Sequence, residues 1–113
     1  SARAELSTTA RAGLTAFSKA LAREVASYNI TINNLLPGMV ATDRIDHLVK
    51  SAAQRAGQEE ETIRAAMTSR IPAKTFGDPA DFGDMCAFLC AAQSGYVTGQ
   101  NITIDGGVYE GLI

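Results

Sequence analysis

A short apolar segment that ends in a Pro-Gly pair constrains the fold of this chain more than any other feature of its 113 residues. Residues 30–36 are apolar at most positions and include two β-branched isoleucines, and Pro37 and Gly38 follow directly. A run of that length between turn residues is typical of a strand buried in a parallel sheet. Because a helical pattern precedes it, the two elements form half of a βαβ unit. The sequence therefore predicts an α/β fold with an interior strand at residues 30–36.

The segment before this strand repeats apolar residues every three or four positions, which predicts an amphipathic helix over residues 8–26. The apolar stripe, expected to be buried, is Leu14, Phe17, Leu21 and Val25. Ser7, Thr8 and Thr9 are suitable N-cap residues for this helix. Gly13 weakens a helix relative to alanine, so we expect a second backbone to pass close to it.

Three more helices are predicted between the first strand and the last. Two amphipathic stretches lie between residues 43 and 68, and the acidic tract 54–61 separates them. A further helix is expected to be capped by Asp78, to begin at Pro79 and to reach about residue 92. Its expected buried residues are Phe82, Met85, Cys86, Phe88 and Leu89.

The last strand is predicted from the alternation of Ile102 and Ile104, and it ends at Asp105. Two strands are too few to cover these helices, and the chain begins without methionine. We therefore expect a piece of a longer polypeptide whose first half supplies the remaining strands. The length itself is that of one domain.

Composition argues against several classes of partner. The net charge is −2, the pI is about 5.3 and the ten basic residues are scattered, so we expect neither nucleic acid nor an anionic membrane as partner. No apolar run approaches the roughly 20 residues that span a bilayer, and no export signal is present, so a cytoplasmic setting is expected. Cys86 and Cys90 lack further ligands nearby, which predicts packed, reduced thiols and no metal site.

The loop that follows the first strand is the best candidate for a binding site, because ligands of open α/β sheets bind beyond the carboxyl ends of the strands. The backbone of residues 37–43 leaves the strand with unpaired N–H and C=O groups. A planar carboxamide, such as that of nicotinamide, uses both a donor and an acceptor. The hydroxyl of Thr42 can bind the same carboxamide or a phosphate oxygen.

Residues 29–38 and 96–107, together with the run Thr42-Asp43-Arg44, resemble the C-terminal half of the short-chain dehydrogenase/reductase family, in a branch similar to 3-oxoacyl-carrier-protein reductases. The resemblance implies the C-terminal part of a Rossmann-like doubly wound parallel sheet. It also implies hydride transfer between NADP or NAD and a small carbonyl or alcohol substrate, for example a 3-oxoacyl thioester. In such a protein two helices cover the substrate.

The resemblance also implies roles for individual residues. Pro37 and Gly38 would shape the turn, the backbone near Val40 would meet the nicotinamide carboxamide, and Thr42 would contact the cofactor. The phosphate-binding glycines of such folds lie in the first βαβ unit, which this sequence lacks. We therefore expect the N-terminal half of the same domain as a partner, and a homodimer or homotetramer as the assembly.

The family's Tyr-x-x-x-Lys pair is replaced in this chain by Ser7 and Arg11. In the family the phenol is the general acid/base, and the lysine lowers its pKa while holding the cofactor ribose. An aliphatic hydroxyl such as that of Ser7 is far less acidic than a phenol. Arg11 can donate hydrogen bonds to ribose hydroxyls but cannot pass on a proton.

Two functions therefore stay open. The chain belongs either to an oxidoreductase whose site contains Ser7 and Arg11, or to a catalytically impaired dinucleotide-binding sensor or assembly subunit. A self-contained α/β interaction module is disfavoured, because two strands cannot bury these helices. Histidine is a common general acid or base in enzymes, but we expect an exposed or capping histidine at His47.

Overall fold

The computed structural model describes residues 1–111. Its helices and strands are α1 (Ala2–Val25), β1 (Asn34–Pro37), α2 (Asp43–Ala56), α3 (Glu60–Ser69), α4 (Pro79–Cys90) and β2 (Asn101–Ile104). Short 3₁₀ turns cover Ala26–Tyr28 and Ala92–Ser94. The predicted order of helix, strand, two helices, helix and strand is confirmed.

Internal contacts divide the chain into two compact units. The first unit contains Ser1–Leu35 and Cys86–Ile102, and the second contains Leu36–Met85 and the described residues from Thr103 onward. Each unit has its own small set of buried side chains. In the first these are Ser18, Ala22 and Ser94, and in the second they are Ile45, Val49, Ala53 and Ile71.

Helix α1 begins earlier than predicted, because Ser1 caps it. The Ser1 hydroxyl oxygen accepts a hydrogen bond of 3.3 Å from the Ala4 N–H. The prediction that Ser7, Thr8 or Thr9 caps the helix is wrong, since all three lie inside it and Thr9 Oγ1 donates to the Glu5 carbonyl at 2.9 Å. The residues between Ser1 and Ser7 are good helix formers, so the helix extends through the Ser-Thr run.

The buried face of α1 is also not the predicted one. Leu14 and Phe17 are 62% and 64% exposed, whereas Ser18 and Ala22 are buried. The rest of the first unit packs against α1 at these small residues. Next to Ser18, Lys19 Nζ donates a hydrogen bond to the Gly99 carbonyl at 3.2 Å. A Cβ built on Gly13 meets no atom of the described residues within 4 Å, so the expected close backbone is not found there.

Strand β1 is shorter than predicted because side chains replace part of the backbone ladder in the residues before it, where one backbone bond remains, from the Gly99 N–H to the Ile32 carbonyl at 2.8 Å. The Ile32 N–H donates to Thr98 Oγ1 at 3.1 Å. Asn33 bonds through its amide to both the Val97 carbonyl and the Gln100 N–H, at 3.0 and 3.1 Å. Residues 30–33 therefore do not form a regular strand, although Ile32 and Asn33 are hydrogen-bonded to residues 97–100.

The two strands pair in parallel. The Asn34 N–H donates to the Gln100 carbonyl at 2.8 Å, and the Gly38 N–H donates to the Ile104 carbonyl at 2.9 Å, so both partners advance in the same direction. Within residues 1–111 the sheet contains only β1 and β2, and Leu36 is 40% exposed. The prediction of an interior, buried first strand is therefore wrong for this part of the chain, whereas the last strand is confirmed at Asn101–Ile104.

Helices α2 and α3 pack against each other in the second unit. The buried residues Ile45, Val49 and Ala53 follow one face of α2. An ion pair of 2.7 Å joins Asp46 on α2 to Arg64 on α3. These helices confirm the two predicted amphipathic stretches, and the acidic tract supplies the first turn of α3.

Helix α4 begins as predicted but is less buried than predicted. Asp78 Oδ1 accepts a 2.9 Å hydrogen bond from the Ala80 N–H, and the helix starts at Pro79. None of its residues is buried: Phe82, Met85 and Leu89 are half-buried, and Phe88 is exposed. Cys86 and Cys90 are free and exposed, so the expected packing of these thiols is wrong. None of the four helices between residues 1 and 111 has the length and apolarity to cross a bilayer.

Candidate functional site

The loop after β1 is held in place by one residue that lies far from it in sequence. The Gly77 N–H donates to the Met39 carbonyl at 2.9 Å, and the Ala41 N–H donates to the Gly77 carbonyl at 2.8 Å. These two bonds form a parallel bridge between Val40 and Gly77. In such a bridge the N–H and C=O of the central residue point away from its partner. Within residues 1–111 neither group of Val40 makes a hydrogen bond, so both are available to a ligand.

Gly38 permits a close approach between the end of β1 and the end of β2. A Cβ at this position would lie 2.7 Å from Asp105 Cβ and 2.8 Å from Asp105 Cα. Both distances are shorter than any that real Cβ atoms show. Gly38 is therefore required because Asp105 lies so close to it, and not because its backbone is left-handed. Pro37, the residue before it, is the last residue of β1.

Thr42 occupies the N-cap position of α2 in an extended conformation, with φ −127° and ψ 173°. Its carbonyl accepts a hydrogen bond of 3.1 Å from the Asp46 N–H. The side chain makes no capping hydrogen bond and is exposed. The hydroxyl of Thr42 is consequently free to bind a ligand beside Val40.

Two cavities of the second unit border this loop, and both have volumes typical of small-molecule sites. The α2 cavity has a volume of about 500 Å³ and is lined by Pro37, Gly38, Met39, Val40, Thr42, Arg44, Ile45, Leu48, Pro79 and Phe82. The α3 cavity has a volume of about 860 Å³ and is lined by Leu36, Pro37, Gly38, Met39, Ile63, Ala66, Met67, Arg70, Ile71, Thr103, Asp105, Val108, Tyr109, Glu110 and Gly111. The α2 cavity combines apolar walls with the loop backbone, which suits a flat ring that carries a carboxamide.

Asp105 organises the segment after β2, a role that the sequence analysis missed. Its carboxylate accepts hydrogen bonds of 2.9 Å from the N–H groups of Tyr109 and Gly107. These donors, that of Tyr109 first, hold the pKa of Asp105 below its ordinary value. Gly106, with φ +66°, leaves no room for a side chain because a Cβ would lie 2.9 Å from Ile71 Cγ2. An aspartate before two glycines is a turn signal that could have indicated this clamp.

Ser7 and Arg11 lie one helical turn apart on α1 and therefore share a face of that helix. Ser7 is half-buried and Arg11 is exposed. Arg11 forms no ion pair within the described part of the chain. The two belong to the first unit, whereas Pro37, Gly38, Val40 and Thr42 come together in the second.

His47 is exposed on α2 and lines neither the α2 cavity nor the α3 cavity. It borders a surface hollow of about 400 Å³ with Asp43, Asp46, Lys50 and Glu60. The exposed position is the one that the sequence analysis expected. No group of three side chains within residues 1–111 is arranged to hold a metal ion.

A family model described as enoyl-(acyl carrier protein) reductase matches residues 2–109, which is nearly the whole chain. The chain belongs to the short-chain dehydrogenase/reductase family. The resemblance recognised in the sequence is thereby confirmed.

Relatives of known activity in this family are similar to the chain over most of its length. The 3-oxoacyl-[acyl-carrier-protein] reductase FabG of Escherichia coli is 39% identical over 100 residues, which cover 88% of the chain and 36% of that protein. The acetoacetyl-CoA reductase of Cupriavidus necator is 36% identical over 103 residues, covering 91% of the chain and 37% of that protein. The chain thus spans little more than a third of the length of these reductases.

A solved structure of the same family has a closely similar fold. L-sorbose reductase from Gluconobacter frateurii, in complex with NADPH and L-sorbose, superimposes with a TM-score of 0.81 and 29% sequence identity. The match covers 89% of the chain and 39% of that structure. The predicted fold class, the C-terminal part of a Rossmann-like sheet, is confirmed by this likeness.

Proposed function

We propose that the chain is the C-terminal part of an NAD(P)-dependent oxidoreductase that interconverts a carbonyl and an alcohol, with a 3-oxoacyl thioester as the substrate class. Both curated relatives described above are named as reductases, one of them for acetoacetyl-CoA. L-sorbose reductase, which matches in fold, binds NADPH. The missing partner of the site is then the N-terminal half of the same domain, which carries the phosphate-binding glycines in such folds.

The free backbone of Val40 is the observation that carries this proposal. Its N–H and C=O are fixed in direction by the two bonds to Gly77 and have no partner within residues 1–111. A carboxamide presents one donor and one acceptor in a plane, so the nicotinamide amide fits this pair. Thr42 adds a free hydroxyl, and Ile45, Leu48 and Phe82 supply apolar walls for a ring.

With the cofactor bound, the nicotinamide ring supplies or accepts the hydride. Val40 and Thr42 orient the carboxamide, and the side chains of Leu48 and Phe82 exclude water from the ring. Arg11 is assigned to the ribose hydroxyls, because a guanidinium presents several donors in a fixed fork. Ser7 is assigned to the substrate oxygen as a hydrogen-bond donor, since its hydroxyl is too weakly acidic to act as a phenol does. In such folds the residue that discriminates NADP from NAD lies in the first βαβ unit.

The proposal is tested by titrating the complete polypeptide that contains this chain with NADPH and NADH, and by following cofactor fluorescence. We expect saturable binding of one or both cofactors, followed by their oxidation when an acetoacetyl thioester is added. If neither NADPH nor NADH binds, the proposal is contradicted. Light scattering on the same sample tests the predicted homodimer or homotetramer, and a monomer mass contradicts that prediction.

A second function is favoured by the replacement of the family's Tyr and Lys with Ser7 and Arg11. We propose as the alternative a dinucleotide-binding sensor or assembly subunit that has lost proton transfer. Arg11 keeps its charge and its donors, so cofactor binding is expected to persist without turnover. Saturable NADPH binding with no oxidation across a broad panel of ketones, aldehydes and thioesters selects this alternative over the enzyme.

A further inference from the structure

The carboxylate of Asp105 holds a short turn directly after β2, and both of its oxygens are needed for this. Oδ1 accepts a hydrogen bond from the Gly107 N–H and Oδ2 accepts one from the Tyr109 N–H, each at 2.9 Å. An ionised carboxylate can accept at both oxygens, whereas an amide has a single acceptor oxygen. Residues 105–109, the Asp105 turn, are therefore held by a group that asparagine cannot fully replace.

The Asp105 turn packs against the segment that follows α3. The Ala73 N–H donates to the Gly106 carbonyl at 3.0 Å. A Cβ built on Gly106 would lie 2.9 Å from Ile71 Cγ2, so the two backbones are as close as they can be. Because protein interiors packed this closely transmit displacements, a shift of the turn is passed on to residues 71–73.

The segment after α3 leads within a few residues to Gly77, which fixes the backbone of Val40. Only three residues separate Ala73 from Gly77. The first of them, Lys74, has φ +62°, and its N–H donates to the Ile71 carbonyl at 2.8 Å, so the connection is a tight turn. Gly77 then makes the two backbone hydrogen bonds, of 2.8 and 2.9 Å, that flank Val40.

These contacts close into a ring of three segments, because Asp105 also lies against Gly38, two residues before Val40. We call residues 38–40, 71–77 and 104–106 the Val40 ring. A cavity of about 200 Å³ borders all three segments. Side-chain packing therefore does not fill the space between the segments, and the hydrogen bonds of the ring have to maintain its shape.

We propose that Asp105 is a positioning residue for the cofactor: its carboxylate holds the Asp105 turn, and the turn maintains the direction of the Val40 N–H and C=O through residues 71–77. The inference rests on the proposed oxidoreductase function, and Asp105 acts through Val40 and not on the nicotinamide itself. Hydrogen bonds weaken steeply when donor and acceptor are misaligned, so a small rotation of Val40 weakens both of its bonds to a carboxamide.

The test compares two substitutions of aspartate by asparagine in the complete polypeptide. Asp105→Asn keeps the shape of the side chain, but one of the two N–H groups loses its acceptor. Asp78→Asn is the matched control, since Asp78 lies next to Gly77 and only its Oδ1 accepts a hydrogen bond, from the Ala80 N–H. Asparagine caps a helix as well as aspartate does, so this bond is kept. Both substitutions remove one negative charge.

Two ligands are compared for each variant by calorimetry: NADPH, and 2′-phospho-ADP-ribose, which lacks the nicotinamide ring. For a protein that prefers NADH, the pair is NADH and ADP-ribose. In Asp105→Asn we expect the Kd for the complete cofactor to rise about 2- to 12-fold, the equivalent of one lost hydrogen bond. The Kd for the ligand without the ring is expected to stay unchanged, which a general loss of structure would not allow. Asp78→Asn is expected to bind both ligands as the unaltered protein does.

Amide hydrogen exchange, followed by NMR without any cofactor, separates this inference from the proposed function. The amides observed are those of Gly77 and Ala41, which form the two bonds that flank Val40, and Val49, which is buried in α2, is the internal reference. In Asp105→Asn we expect exchange of the Gly77 and Ala41 amides to accelerate about 2- to 12-fold, and that of Val49 to stay unchanged. If this acceleration is found while the unaltered protein binds no nucleotide, the proposed function fails and the action of Asp105 on Val40 is supported.

Three outcomes overturn the inference. Unchanged exchange of the Gly77 and Ala41 amides in Asp105→Asn shows that the Asp105 turn does not reach Val40. Equal weakening of the complete cofactor and of the ligand without the ring assigns the effect to the fold as a whole. Equal weakening by Asp105→Asn and Asp78→Asn assigns it to the loss of a negative charge and not to the second oxygen of Asp105.

Discussion

The loop after β1 and the first turns of α1 carry the two halves of the proposed chemistry in different ways. In the loop the proposed binding groups belong to the backbone of Val40, whose direction is fixed by Gly77. On α1 the groups are side chains, and both differ from those of the family. Backbone groups survive most substitutions because every residue but proline has an N–H and a C=O. Side-chain chemistry changes with one substitution, so cofactor binding can outlast proton transfer.

The largest expected effect comes from restoring the family's side chains on α1. Ser7→Tyr combined with Arg11→Lys supplies a phenol and a lysine one helical turn apart, and general acid-base catalysis typically contributes 10²- to 10⁴-fold. We expect kcat/KM for an acetoacetyl thioester to rise by roughly 10²-fold or more. The matched control is Thr8→Tyr with Arg11→Lys, which places the phenol on another face and should give no rise. A fall in activity of the first variant would show that Ser7 and Arg11 form a working site of another kind.

The second largest effect is expected at Gly38, where the loop depends on close packing. Gly38→Ala puts a Cβ 2.7 Å from Asp105 Cβ, and overpacking of this kind destabilises proteins by about 1–3 kcal/mol. Gly77→Ala is the control in the same loop, because its Cβ would meet the nearest atom, Val40 Cγ2, at 3.6 Å, an ordinary contact. Urea denaturation measures the free energy of unfolding of both variants. Equal stability of the two variants would contradict the packing described here.

A smaller effect is expected from the hydroxyl of Thr42. Thr42→Val keeps the shape and removes the hydrogen bond, which contributes about 0.5–1.5 kcal/mol in proteins. We expect the Kd for NADPH to rise about 2- to 12-fold in Thr42→Val and to change little in Thr42→Ser. Fluorescence titration gives both values. If Thr42→Ser weakens binding and Thr42→Val does not, the methyl group and not the hydroxyl contacts the cofactor.

The smallest effect concerns Asp105 and pH. Its pKa is lowered below the ordinary value of 3.8 by the N–H groups of Tyr109 and Gly107, so the ionised form stabilises the fold. This stabilisation is present above the ordinary pKa and is lost as the pH falls through the lowered pKa. We expect Asp105→Asn to reduce the acid sensitivity of the urea midpoint. An unchanged profile below pH 5 would show that the clamp does not hold the segment after β2.

The sequence predicted best those features that depend on neighbouring residues. The start of α4 follows from Asp78 and Pro79, because a cap and a first-turn proline act within one turn. The start of α1 was wrong for the same kind of reason, since Ser7 and Thr9 have cap chemistry but an earlier serine acts first. Capping residues in the sequence therefore indicate several possible helix starts but do not decide which of them the structure uses.

Features that depend on distant residues could not be predicted. Gly77, which fixes the backbone of Val40, lies 37 positions further along the chain, and no local sequence pattern predicts this pairing. The shortening of β1 depends on Thr98 and Asn33 replacing backbone partners. The expected burial of Phe17 and Phe88 rested on the apolar residues of each helix, which do not say which other segments cover that face. The candidate loop, by contrast, was proposed from its place after a strand, and its role in binding stays a prediction.

The most direct test of the account is a crystal structure of the complete polypeptide with NADPH bound. The account predicts that the nicotinamide carboxamide accepts from the Val40 N–H and donates to the Val40 carbonyl, with both distances between about 2.7 and 3.2 Å. A carboxamide bound elsewhere, with the N–H and C=O of Val40 facing solvent or other protein atoms, would contradict it.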